Sequence, residues 1–254
     1  MADQAGTPRA RYREHNRAEI KRIALEQLAE RGPSALSLSA IAKRMGFSGP
    51  ALYRYFASRD ELLTELITAA YGDLAGRITE TADAVLWCAP RERLRILADA
   101  FRQWAVAEPH RYQLLAGTPV PGYSAPPHTV AAAREVLGPF LAVFHRLQQD
   151  GPSPRYEGPD RQFQQWIGAD RAARDWVRHR TTTAGGGGSG NSGGEGGDGE
   201  PDPARQAAAL RATVTAWTRM HGLVSLELQG SFHGMSFDPA LLYAAEIDAL
   251  ADQA

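Results

Sequence analysis

A chain of 254 residues with 43% hydrophobic and 22% charged content can bury a substantial core, and its apolar runs fall far short of the roughly 18 residues a membrane-spanning helix needs. The net charge of −1 hides an asymmetry: residues 1–60 hold 11 Lys+Arg against 6 Asp+Glu, while the remainder is acidic, so the first part of the chain is suited to a polyphosphate partner. The single cysteine, Cys88, excludes an intramolecular disulfide and a multi-cysteine zinc site, and MADQAGTPRARYRE lacks an apolar signal core, which makes the cytoplasm the expected compartment.

Residues 1–13, with Arg9, Arg11 and Arg13, read as a flexible basic arm. A helix is predicted from about Glu14 to Arg31, with Arg17 near its start, Ile20, Ile23, Ala24 and Leu28 facing inward, and Gly32-Pro33 as its stop. The next helix is two turns long. Leu38, Ile41, Ala42 and Met45 recur at i, i+3, i+4 and i+7, Ser37 stands as N-cap, and Gly46 follows as a C-terminal stop. After the turn residue Phe47, Ser48 can cap a second helix that tolerates Pro50 in its first turn, because the N–H that proline lacks has no intrahelical partner there. Leu52 and Phe56 point inward, leaving Ser48, Gly49, Ala51, Tyr53, Arg54 and Tyr55 on the surface. Ser58 then opens a long helix through Leu62, Leu66, Ile67, Ala70 and Leu74 toward Thr81.

This stretch resembles the helix-turn-helix of the tetracycline-repressor (TetR/AcrR) family of bacterial transcription regulators. The residues that carry the likeness are Ile41-Ala42, Gly46, Ala51-Leu52-Tyr53, Tyr55-Phe56 and Arg59-Asp60-Glu61-Leu62-Leu63. Two positions depart from the common pattern: Tyr55 stands where His is frequent and Arg59 where Lys is frequent. The resemblance implies a DNA-binding domain over residues 14–76. Tyr53, Tyr55 and Arg59 are expected on phosphates, Ser48, Gly49, Ala51 and Arg54 at base edges, and Ser37, Arg44, Pro50, Arg9, Arg11, Arg13 and Arg17 as further contacts.

Residues 77–254 are expected to form a second helical domain. Pro90 to Glu108 is an amphipathic helix with Leu94, Leu97, Ala98, Phe101, Trp104 and Ala105 on one side. A short helix, His110 to Leu115, precedes a loop dense in proline and glycine up to Pro127. Thr129 to Gln149 should be a helix kinked or broken at Gly138-Pro139, and Asp160 to His179 another, carrying Phe163, Trp166 and Trp176. Between Gly185 and Gly199 lie ten of the 25 glycines, so residues 181–203 read as a disordered linker. From Ala204 to Gln229, the spacing of Leu210, Val214, Trp217, His221, Val224 and Leu228 is a heptad seam. A second stripe, Ala209, Thr213, Ala216, Met220 and Leu223, runs beside it, and Gly222 in mid-helix suits close approach of another backbone. A last helix runs from Ala240 to Ala251, and no strand is needed anywhere.

Trp217-x-x-x-His221-Gly222 and GTPVPGYSAP resemble the WHG branch of the same family. That resemblance implies an all-α fold in which the C-terminal domain dimerises as a four-helix bundle, through Phe163, Trp166, Leu210, Val214, Trp217, His221, Gly222, Val224 and Leu228. It also implies a small, mostly apolar effector lined by Phe101, Trp104, Tyr112, Tyr123, Trp166, Trp217 and His221. A homodimer reads two half-sites, so the DNA partner should be a palindromic operator. The expected function is a repressor released by its ligand; the alternative is a dimeric regulator without an effector, governed by abundance or a protein partner. The sequence holds no Gly-x-Ser-x-Gly elbow, phosphate-binding glycine motif or His-Glu-x-x-His, so no catalytic residue, metal or cofactor is expected.

Overall fold

The computed structural model describes residues 7–32, 35–117, 122–149, 156–182 and 202–253, and among them there are eleven helices and no strand. These are α1 (Pro8–Arg31), α2 (Leu38–Met45), α3 (Gly49–Leu52), α4 (Arg59–Ala84), α5 (Pro90–Ala107), α6 (Pro109–Ala116), α7 (Pro127–Leu147), α8 (Glu157–Ala169), α9 (Arg171–Thr182), α10 (Pro203–Leu228) and α11 (Pro239–Asp252). None is long and apolar enough to cross a membrane. The chain divides into two compact units, residues 1–72 with 108–130, and residues 73–107 with 131–254. The sequence places the boundary at residue 76; by packing it falls at 72, and α6 with its loop joins the first unit.

In the first unit α1 starts six residues earlier than periodicity suggests. Thr7 accepts a hydrogen bond from the Ala10 N–H and Pro8 takes the first helical position, so Arg9, Arg11 and Arg13 ride on a helix and not on a loose arm; residues 1–6 lie outside the described residues. Ile20, Ile23, Ala24 and Leu28 of α1 join Leu38, Ile41, Ala42, Leu52, Phe56, Leu62, Leu63 and Leu66 in one core. Gly46 closes α2 at φ +69°, a left-handed setting that glycine adopts without Cβ strain, and this turn sends the chain into α3. Leu114, Leu115 and Tyr123 pack on the same core.

In the second unit the buried interior comes from Leu94, Leu97, Ala98 and Phe101 of α5, Val136, Phe140, Leu141 and Phe144 of α7, Ala209, Thr213, Ala216 and Met220 of α10, and Ile247 and Leu250 of α11. The Tyr243 hydroxyl donates to the Ala98 carbonyl at 2.7 Å, and Arg102 of α5 grips the Glu227 carboxylate of α10 through Nε at 2.9 Å and a second nitrogen at 2.5 Å. That pairing holds the Arg102 guanidinium's proton more firmly than usual.

Three expectations for this unit change. The α7 helix runs unbroken through Gly138-Pro139: Pro139 is buried, and the missing Cβ of Gly138 is where the Arg180 side chain lies, itself paired with Glu135 at 2.6 Å. The single helix predicted over 160–179 is two, because Asp170 adopts an extended backbone, ends α8 and accepts the Ala173 N–H to start α9. Thr181 and Thr182 belong to α9, while Asp202 caps α10 through the Ala204 N–H, so the predicted linker shrinks at both ends and its remainder, 183–201, lies outside the described residues.

Candidate nucleic-acid interface

Helices α2 and α3, joined by the turn Gly46-Phe47-Ser48, present the first unit's polar face. Ser37 caps α2 by accepting the Ala40 N–H at 3.3 Å, and its own N–H donates to the Gln27 side chain, which makes its main duty structural. Ser48 stands at the N-cap position of α3, yet its hydroxyl makes no capping bond while its carbonyl accepts from Ala51 and Leu52. Regular α-helix covers only Gly49–Leu52; Tyr53 to Phe56 continue as hydrogen-bonded turns. This short piece is held from below by Leu52 and Phe56, which are 1% and 0% exposed. Ser48, Gly49, Pro50, Tyr53 and Arg54 are exposed and Ala51 is half-buried, which places the expected base-reading residues together on one solvent-facing segment.

The arginines divide by partner. Arg13 donates to the Arg54 carbonyl at 3.4 Å and Arg17 to the Tyr55 carbonyl, so α1 satisfies the carbonyls at the end of the recognition segment that have no helical partner. Arg17 is committed further: it pairs with Glu65 and lies 4.3 Å over the Phe56 ring. The sequence assigns it to phosphate, but these contacts make it a brace. Arg59 likewise donates to the Leu36 carbonyl at 3.1 Å, and Arg44 pairs with Glu26 at 2.5 Å. Arg9, Arg11 and Arg54 keep exposed side chains.

Tyr55 also changes role. Its ring stacks on Phe47 at 5.9 Å, and its hydroxyl accepts from the amide of buried Asn16 at 2.8 Å, so it anchors α1 to the turn instead of facing solvent as the sequence suggests. Tyr53, expected on a phosphate, stays 57% exposed. Lys43, exposed beside Arg44 on α2, joins this face though the sequence reading passes over it; the signal is its position on the side of α2 opposite Ile41 and Ala42.

In the second unit the effector candidates separate. Phe101, Trp217 and His221 form one aromatic cluster, with ring centroids 5.4 Å from Phe101 to Trp217, 5.1 Å from Phe101 to His221 and 4.2 Å from Trp217 to His221. Burial pushes the His221 imidazole down to about 4, so it is neutral at physiological pH. Trp104 is buried, its indole N–H donating to Asp73 at 2.8 Å. Tyr112 and Tyr123 belong to the first unit, where the Tyr123 hydroxyl lies 3.0 Å from that of Thr64. Trp166 is 38% exposed on α8, with the Arg134 guanidinium 5.4 Å from its ring, and does not share the cluster.

Both stripes of α10 turn inward. Leu210 and Val224 are buried, Val214, Trp217, His221 and Leu228 half-buried, and the second stripe is buried from Ala209 to Met220. The heptad seam is therefore largely used inside the protomer, because α10 packs on α5, α8, α9 and α11 and needs a wide apolar sector. The outward line is Thr218, Gly222 and Leu226, all exposed, with nothing within 4 Å of where a Gly222 Cβ would stand. Neighbouring α8 is exposed along most of its length and carries half-buried Phe163.

Comparison with known proteins matches both units. Residues 21–66 fit the family described as bacterial regulatory proteins, tetR family, and residues 94–250 fit the tetracyclin repressor-like, C-terminal domain. The HTH-type transcriptional regulator Mb1846 of Mycobacterium bovis is 43% identical over 130 residues, 51% of this chain and 56% of that protein, so the match spans little more than half the length of that curated relative. The crystal structure of SCO4313 superposes with a TM-score of 0.71 at 40% identity, covering 96% of this chain and 98% of that one. The TetR family regulator PfmR from Thermus thermophilus, at 17% identity and a TM-score of 0.54 over 92% of this chain and 97% of that one, shares the fold.

Proposed function

Because the chain belongs to the tetR family of bacterial regulatory proteins, we propose that it is a cytoplasmic, sequence-specific DNA-binding transcription regulator that acts as a homodimer on a palindromic operator and is released by a small apolar ligand. The observation that carries the DNA-binding part is the segment Ser48 to Arg54, exposed at five of its seven residues and fixed from beneath by Leu52 and Phe56. Arg54 is its base reader. A guanidinium bidentate to guanine O6 and N7 discriminates by about 1–3 kcal/mol, so Arg54→Ala should flatten preference at one operator position, read by titrating single-base operator variants. Unchanged preference with uniformly weaker binding would demote Arg54 to a phosphate contact.

Dimerisation is assigned to the outward line of α10 with the exposed side of α8. Gly222→Leu is a clean probe, since no described atom of the protomer lies within 4 Å of the added Cβ and leucine favours helix over glycine by nearly 1 kcal/mol. The variant should sediment as a folded monomer with lost operator affinity; a persistent dimer would place the interface elsewhere.

The ligand reading rests on the Phe101–Trp217–His221 cluster, in which two large apolar rings flank a neutral imidazole with one donor and one acceptor nitrogen. Release from the operator requires that the ligand prefer one conformational state of the dimer. A thermal-shift screen with apolar metabolites tests it, because a real site gains stability as ligand concentration passes its Kd. No response across the screen favours regulation without an effector.

A further inference from the structure

The C-terminal end of α7 and the residue after it, Gln148, bury polar groups that the regulatory reading does not use. Gln148 is 2% exposed, and neither its amide nitrogen nor its amide oxygen has a hydrogen-bond partner among the described residues. His145, one turn back on the same face and 7% exposed, leaves Nδ1 in the same condition. Arg146 and, from the first turn of α5, Arg93 each bury an Nε without a partner among the described residues. Native proteins seldom leave buried donors and acceptors unmatched without an ordered water, an ion or a bound ligand.

Among the described residues, the charged side chains that act on these groups from α5, α7 and α10 are cationic. Burial and then nearby Arg146 push the Arg93 guanidinium below its usual range, with only the Cys88 thiol acting the other way. Burial, Arg205 of α10 and Arg146 push the His145 imidazole down, and among the described residues no carboxylate counters them. Three helices thus bring cations close enough to repel one another.

We propose that His145 and Arg146 of α7 and Gln148 just past its end, with Arg93 of α5 and the exposed Arg205 of α10 at the edge, form a binding site for a phosphate group, free or as a monoester. The chemistry selects phosphate among anions. Two arginine Nε–H groups and the Gln148 amide supply donors to an oxyanion, while the Gln148 oxygen needs a donor that a protonated phosphate oxygen provides and that neither an ionised carboxylate nor sulfate carries at neutral pH. The site is distinct from the aromatic cluster: Arg93 precedes Phe101 by eight residues, about 12 Å along α5.

The test uses the full chain, titrated calorimetrically with inorganic phosphate and, at matched ionic strength, with sulfate. Saturable phosphate binding near one site per chain, clearly tighter than sulfate, is expected, as is a loss of roughly tenfold or more in affinity for Arg146→Gln and for Gln148→Leu. Gln148→Glu supplies an internal anion: its Tm without phosphate should exceed that of the parent, and phosphate should no longer raise it. Equal responses to phosphate and sulfate, wild-type affinity in Arg146→Gln, or a Gln148→Glu variant that melts lower than the parent would each overturn the proposal. Phosphomonoesters binding more tightly than inorganic phosphate would identify the source as the ester.

Discussion

Phe56→Ala is expected to destabilise the first unit by about 3–5 kcal/mol, the usual cost of removing a fully buried phenylalanine. Phe56 is 0% exposed and shares a core with Ile20, Ile41, Leu52 and Leu62, and its ring also supports the Arg17 guanidinium at 4.3 Å. The truncation therefore removes packing and loosens the arginine that satisfies the Tyr55 carbonyl. Urea unfolding should show the shift, and operator binding should weaken with it, since α3 has too few residues to persist as a helix without its support. A cost near that of a surface substitution, with operator binding intact, would mean that the recognition segment is held by something other than this core.

Acid lability is the second large effect. The unfolded His221 imidazole takes up its proton near its ordinary value of 6.5, whereas the folded one, half-buried against Phe101 and Trp217, does so only near 4. Above about pH 6.5 both states are neutral and this residue gives no pH dependence. Between 6.5 and 4 the unfolded chain binds a proton that the folded one refuses, so stability falls as pH falls, by about 3 kcal/mol over the window. His145 is shifted down as well and adds a fall of the same sign. The urea midpoint measured from pH 7.5 to 4.5 should decline, and His221→Gln should flatten much of that slope. An unchanged slope in the variant would show that His221 titrates normally and is not shielded from water as described.

The helix-turn-helix was legible because its signals are local. Ser37, Gly46 and Ser58 mark ends through their own side-chain or backbone chemistry, and Leu52 with Phe56 needs only a four-residue spacing. Roles that depend on distant partners were not legible. Tyr55 looks like a surface aromatic until Asn16, 39 residues away, is seen to donate to its hydroxyl, and Arg17 looks like a phosphate contact until Glu65 is beside it. The start of α1 at Pro8 could have been found from Thr7-Pro8, a cap followed by an N1 proline, but the run of arginines behind it reads as a tail.

The second unit hid more. Proline in mid-helix costs a hydrogen bond, yet Val136, Phe140, Leu141 and Phe144 bury both halves of α7 and hold it as one helix. Asp170 is compatible with a helix interior by composition, and only its bond from the Ala173 N–H reveals a cap. The two stripes of α10 state correctly that it has more than one apolar face. They do not say that both face the same protomer, because heptad spacing is the same whether the partner helix belongs to this chain or to a copy.

Selection of bound sequences from a random duplex library, with the purified full chain at fixed salt, tests the central claim most directly. A sequence-specific dimer should enrich an inverted repeat whose half-site centres lie about 34–36 Å apart, one turn of DNA, or a multiple of that spacing. A folded, dimeric protein that enriches no sequence, or only a single unrepeated half-site, would contradict it.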